Sequence, residues 1–156
     1  MNFRVRPYEL NDLTAIAEIE KQCFESPWTY SAFCMEYADK NKHYFVAEAD
    51  NGEIIGYGGF AHVIDEADIM NIAVKEGYRR QGVAFAILSA LLQKAKQLNV
   101  HGVTLEVNDL NSAAIALYEK VGFTMSGLRP HYYGWDKPAR IYWYYFPEKT
   151  EDRSND

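Results

Sequence analysis

Seven residues, Tyr78-Arg79-Arg80-Gln81-Gly82-Val83-Ala84, stand between a run of strand type and the clearest amphipathic helix pattern in the chain. Strand, then a loop with a basic pair and one glycine, then helix is the local order that builds an anion cradle. The first N–H groups of a helix have no partner within it, and the aligned peptide dipoles add partial positive charge there. A phosphate or pyrophosphate fits such a helix start. Gly82 removes the side chain that would hold a ligand off the backbone, and Arg79 and Arg80 supply cations that pair with phosphate oxygens. The plain alternative is a basic turn ahead of a surface helix. Neither Gly-x-x-x-x-Gly-Lys-Ser/Thr nor Gly-x-Gly-x-x-Gly occurs anywhere in the chain, so the cradle is of neither of those two kinds.

Around this loop the elements alternate. Phe3 to Arg6 reads as a strand ended by Pro7, and Asn11 is placed to cap a helix reaching about Phe24 with Leu13, Ile16, Ala17 and Glu20 in helical spacing. Glu25-Ser26-Pro27 breaks that helix, and Thr29 caps a second, short one with Phe33, Met35 and Tyr37 expected near its buried side. His43 to Ala49 and Ile54 to Val63 read as strands joined by Asp50-Asn51-Gly52, a hairpin signal because Asn and Gly tolerate positive φ. Ala67 to Val74 is a further strand. From Gly82 to Leu98 the stripe Val83, Ile87, Leu88, Leu91, Leu92, Ala95, Leu98 predicts a helix. Val103 to Val107 predicts a strand and Asn111 to Val121 a helix stopped by Gly122. Phe123 to Tyr132 and Arg140 to Phe146 predict the closing strands. The order β-α-α-β-β-β-α-β-α-β-β predicts an α/β domain with a mostly antiparallel sheet.

A chain of 156 residues is one domain's length, here expected over 1–147 with a disordered polar tail at 148–156. The longest apolar run, Val83 to Leu92, is interrupted by Ser89 and falls short of a membrane span, and the first residues lack the apolar segment of a signal peptide. Cys23 and Cys34 lack CxxC spacing and read as reduced, buried thiols. The four histidines have no ligand spacing, so no metal is expected. A net charge of −6 argues against a general nucleic-acid binder and is compatible with a basic peptide.

The order Arg79-x-x-Gly82-x-Ala84 matches the Arg/Gln-x-x-Gly-x-Gly/Ala signature of the Gcn5-related N-acetyltransferase (GNAT) superfamily. With Asn71-Ile72-Ala73-Val74, Leu105-Glu106-Val107, the run Asn111 to Phe123 and the pair Tyr132-Tyr133, the chain resembles the ribosomal-protein-alanine N-acetyltransferase (RimI) branch of that superfamily, up to about Phe146. The resemblance implies a single-domain α/β (α+β) GNAT fold: a mixed, mostly antiparallel sheet with splayed central strands and about four helices. It implies acetyl-CoA as cosubstrate. The pantetheine arm would pair with backbone groups of Ile72, Ala73 and Val74, much as an added strand. The pyrophosphate would rest on Arg79, Arg80, Gln81, Gly82, Val83 and Ala84. Asn111 is similar to a residue that contacts the cofactor in the family; as a residue it also reads as a helix cap.

Acetyl transfer to an amine needs a neutral amine, a polarised thioester and a proton for the departing thiolate. Glu106 interrupts an otherwise apolar strand, where partial desolvation would suit a general base. The alternative is a carboxylate facing solvent or pairing with a nearby Arg. Glu106 also matches the base proposed in the resembled family. Tyr118 is the corresponding acid, since a phenol keeps its proton at neutral pH; alternatively it fills an apolar stripe as Phe would. By resemblance the acceptor peptide lies near Pro27, Trp28, Tyr132 and Tyr133, although Trp28 reads equally as core.

Four departures leave the cofactor chemistry untouched and bear on the acceptor. Ala84 stands where Gly is usual, a change within the motif's tolerance, Asn108 where Arg is frequent, and Pro138-Ala139 where an Asp-Ala pair is common, and the last strand ends in Tyr142-Trp143-Tyr144-Tyr145. The expected partner is a protein N-terminus, with no nucleic acid and no membrane, for a cytoplasmic monomer or weak dimer. An acetyltransferase acting on a small amine or a lysine side chain, and a non-catalytic acetyl-CoA-binding module, are the alternatives.

Overall fold

Alternation between sheet faces and the placement of small residues decide how the strands and helices stack. The computed structural model describes residues 2–130 and 138–147, and its elements fall into two units, Met1–Val100 and His101–Asp156.

In the first unit β1 (Phe3–Pro7), β2 (Lys42–Ala49), β3 (Ile54–Val63) and β4 (Glu66–Val74) pair antiparallel in chain order. The Asn51-Gly52 turn forms as expected: Gly52 has φ +87° and the Asn51 carboxamide oxygen accepts from the Glu53 amide at 3.0 Å. The helices are α1 (Leu13–Cys23), α2 (Tyr30–Tyr37) and α3 (Val83–Gln97). Leu13, Ile16 and Ile19 of α1 and Phe33 of α2 bury against Tyr44, Val46, Tyr57 and Ala73. Side chains alternate across a strand, so Gly56 and Gly58 face away from Tyr57 and toward α3. A Cβ on Gly58 would stand 2.7 Å from Ile87 Cγ2. The absence of side chains there lets α3 lie close on β3. On β4 the register slips opposite Gly59 and Phe60, which face Asn71 and Ile69 and leave Met70 as the extra residue of a bulge.

Two local expectations are corrected in this unit. Asn11 does not cap α1. A 3-10 turn, Leu10–Asp12, comes first, and the Asp12 carboxylate accepts from the Glu9 amide at 2.7 Å while Arg6 grips both its oxygens at 2.8 and 2.9 Å. The ion pair with β1 is a stronger anchor than a solvent-facing cap. On α2 only Phe33 is buried; Met35 is 77% exposed and Tyr37 is exposed as well. Two turns of helix present a single narrow face, and Met35 lies on the other side of it.

In the second unit β5 (Gly102–Asn108), β6 (Thr124–Arg129) and β7 (Ala139–Tyr145) pair antiparallel with β7 between the others, and α4 (Ser112–Val121) connects β5 to β6. Val103, Leu105, Val107, Ile115, Phe123 and Tyr142 are its buried residues of greatest weight. The Asn111 carboxamide oxygen caps α4 by accepting from the Ala114 amide at 3.2 Å, and Gly122 ends the helix with φ +120°. The strand expected from Phe123 to Tyr132 is formed over Thr124–Arg129. Tyr132, Tyr133 and the tail at 148–156 lie outside the described residues.

Candidate active site

β4 ends at Val74, and the chain then crosses Lys75 to Gly82 before entering α3. Three residues in this crossing take left-handed backbone: Gly77 at φ +95°, Arg80 at +63° and Gly82 at +83°. Positive φ is costly for arginine, so the conformation at Arg80 is imposed by the turn. Gly82 is the residue before α3, no side chain caps the helix there, and a Cβ at Gly82 would meet nothing within 4 Å. The amides that begin α3 therefore open onto unobstructed space, the arrangement an anionic group requires.

Arg79, although exposed, reaches back from this loop to the end of β4. Its Nε donates to the Val74 carbonyl at 3.0 Å and its Nη2 approaches Cys23 Sγ at 3.4 Å. Cys23 Sγ also donates to that carbonyl at 3.7 Å, so the last turn of α1 and the loop meet at the end of β4. Ile72 is half-buried, whereas Ala73 and Val74 are buried. Lys75 and Tyr78 both bond the Glu53 carboxylate, at 2.6 and 2.8 Å, and hold the loop's first residues to the β2–β3 turn. Those two partners outweigh the small cost of burial and keep the Glu53 carboxyl below its ordinary range.

In the second unit Glu106 lies on the β5 face shared with Thr104 and Asn108, its side chain 23% exposed. Its Oε1 stands 2.6 Å from Nη2 of Arg129, the last residue of β6. The Arg pairing left open by the sequence is thus present, and the carboxylate remains reachable. Tyr118 on α4 is buried against Phe123, with ring centroids 5.8 Å apart. Asn111, just before α4, spends its carboxamide oxygen on the cap. Beneath these groups Tyr142 donates to Glu119 at 2.6 Å, and Arg140 pairs with Asp109 at 2.5 Å. Burial first, and donation to Glu119 second, raise the Tyr142 hydroxyl above the usual phenol range. It is a structural donor at working pH.

Between α1 and α2, Pro27 is half-buried and Trp28 is 38% exposed, its ring 5.7 Å from Phe33. Trp28 is not core. Its backbone is held from an unexpected side: the Trp28 amide donates to Glu20 Oε2 at 3.0 Å, while the other Glu20 oxygen accepts from the Tyr57 hydroxyl and from Asn71 Nδ2 at 3.2 Å. One sign of this is present in the sequence: Glu20 is a carboxylate within the apolar stripe of α1. Among the described residues no group of three or more His, Cys, Asp or Glu is placed to hold a metal.

A loop that presents uncapped helix amides at the end of a strand is the kind of site that holds the phosphates of a phosphorylated carrier. The Acetyltransferase (GNAT) family profile matches residues 13–123, and the chain belongs to that family. It is an acetyl-transferring enzyme. A Bacillus subtilis protein is 37% identical over 130 residues, covering 83% of this chain and 85% of the relative. The Escherichia coli K12 ribosomal protein bS18-alanine N-acetyltransferase is 34% identical over 125 residues, covering 80% and 83%. The Mycobacterium tuberculosis N-alpha-acetyltransferase RimI is 36% identical over 128 residues, covering 78% of each. Among solved structures, the Escherichia coli ribosomal-protein-alanine N-acetyltransferase matches with TM-score 0.85 and 30% identity over 97% of this chain and 98% of the other. The expected fold class and family hold.

Proposed function

We propose that this chain transfers the acetyl group of acetyl-CoA to the N-terminal amine of a protein, a ribosomal protein beginning with alanine. The agreement with N-terminal acetyltransferases over four-fifths of the chain carries the reading, and Glu106 and Tyr118 being both present supports it. Residues 1–147 act as one catalytic domain in the cytoplasm; no helix among the described residues is long and apolar enough to cross a membrane.

In this reading Gly82, Val83 and Ala84 offer amides to the pyrophosphate, with Arg80 and Gln81 exposed beside them. Ile72, Ala73 and Val74 give the pantetheine arm its backbone partners, and Arg79 braces the strand end. An α-amine has a pKa near 7.7–8.0, so roughly a tenth is neutral at pH 7. Glu106 takes the proton that the amine loses as it attacks, directly or through water. The C–N bond forms, the C–S bond breaks, and Tyr118 donates its proton to the departing thiolate. A backbone N–H near Ile72 to Val74 stabilises the oxyanion. Pro27 and Trp28 border the acceptor, together with Tyr132 and Tyr133.

Labelled acetyl-CoA offered with N-terminal peptides, free polyamines and internal-lysine peptides tests the proposal. Turnover on alanine N-termini above the other amines is expected. Preference for a polyamine or an internal lysine moves the acceptor elsewhere, and stabilisation by coenzyme A with no turnover on any amine makes the chain a cofactor-binding module.

A further inference from the structure

Two charged side chains are buried among the described residues, Asp12 and Glu20. Asp12 has a guanidinium on it. Glu20, 2% exposed, is held instead by neutral donors: the Trp28 amide, the Tyr57 hydroxyl and the Asn71 carboxamide. A buried carboxylate is costly unless its oxygens are well satisfied, and an aliphatic side chain would pack on α1 without that cost. What the carboxylate adds is a junction. Its partners belong to the segment between α1 and α2, to β3 and to β4. Asn71 lies between the bulged Met70 and the strand end Ile72 to Val74. The Trp28 amide lies in the segment whose Phe24 and Trp28 rings stand exposed. Burial, then donation to Glu20, drives the Tyr57 hydroxyl well above the phenol range, so that donor keeps its proton at any working pH.

We infer that Glu20 is a positioning residue that locks the segment at residues 24–29 to β4 and thereby sets the affinity for the acceptor. The inference rests on the proposed reading in which that segment borders the acceptor. Phe24 and Trp28 are large and partly solvated, and a ring bears on a peptide only if its backbone is fixed. With only one acceptor oxygen left at position 20, the Trp28 amide, the Tyr57 hydroxyl and the Asn71 carboxamide compete for it, and the tie between the segment and β4 weakens. The cofactor loop, braced by Glu53, Lys75 and Arg79, has no part in this junction.

Glu20→Gln is the direct test, because a carboxamide of equal size keeps the packing but turns one acceptor into a donor. Expected are a KM for an alanine N-terminal peptide raised about 10-fold, a dissociation constant for acetyl-CoA within about twofold of wild type, and faster amide exchange at residues 24–29 than at β1 and β2. A peptide KM unchanged in a folded variant, an equal loss of affinity for both substrates, or exchange unchanged at 24–29 overturns the inference. Should Glu20→Gln fail to fold, Tyr57→Phe removes a single donor. About a threefold rise in peptide KM is then expected, and none overturns it. If the wild type turns over no peptide N-terminus, it is the proposed acceptor that fails, and amide exchange at 24–29 alone decides whether Glu20 holds the segment.

Discussion

Two glutamates break apolar patterns in this chain, and their surroundings give them opposite characters. Glu20 on α1 is enclosed, and each bond it accepts comes from a neutral donor that also holds a separate element. Glu106 on β5 is part-exposed and meets a half-exposed arginine. Along the sequence they look alike, a carboxylate where Leu or Val would fit. The difference teaches that a polar interruption reports a demand for chemistry without saying which kind. A carboxylate closed in on all sides by fixed donors has no oxygen to offer a substrate and can only organise. One that meets a part-exposed arginine and solvent, as Glu106 does, stays within reach of a ligand.

Glu106→Gln is expected to lower turnover by roughly 10²–10⁴-fold with acetyl-CoA affinity kept. Steady-state kinetics with calorimetric binding checks it, and unchanged turnover would put Glu106 in the same class as Glu20. Glu20→Leu is expected to act on stability instead. It strands three donors, and chemical denaturation should register a loss of about 3 kcal/mol. Tyr118→Phe should slow transfer by roughly 10–100-fold with an unaltered melting temperature; equal activity would make it a packing residue beside Phe123.

A third carboxylate sharpens the contrast through pH. Burial alone would raise the Asp12 carboxyl, but the Arg6 guanidinium and the Glu9 amide outweigh burial and hold it below its ordinary range. A lowered folded value means stability fully present above the unfolded pKa of about 3.9 and lost as pH falls through the folded value. Arg6→Met should therefore cost about 1–2 kcal/mol at neutral pH and less at about pH 3. A penalty independent of pH would mean that the arginine acts by packing alone. Smallest of all, Arg129→Met should change unfolding free energy by less than about 1 kcal/mol, because a part-exposed ion pair contributes little. A larger loss would show that Glu106 too is a structural anchor.

Much of this was legible before any coordinates. The helix α3, the strand β3 and the hairpin turn at Asn51-Gly52 fell where periodicity and turn chemistry put them. Thr29 and Asn111 cap their helices as their positions suggested. These are local rules, satisfied by neighbours one to four residues apart. One departure arises where a distant partner outweighs the local one. Asn11 lost the start of α1 to Asp12 because Arg6 on β1 was within reach. Of the candidate site, the loop and the two candidate catalytic residues could be named from sequence. The reach of Arg79 back onto Val74 and Cys23 could not, and an arginine partner for Glu106 was open from sequence without its identity as Arg129.

By itself the sequence determined the order of elements, the glycine before α3 and the positions of the carboxylates, since each follows from backbone preferences and spacing along the chain. The tertiary structure alone decided what those carboxylates touch. Glu20 finds its partners 8, 37 and 51 residues away, and no one-dimensional pattern encodes a meeting that requires a helix, a hairpin and a bulged strand to be packed first. Charge and burial are properties of that packing, and they separate Glu20, enclosed by fixed donors, from the part-exposed Glu106.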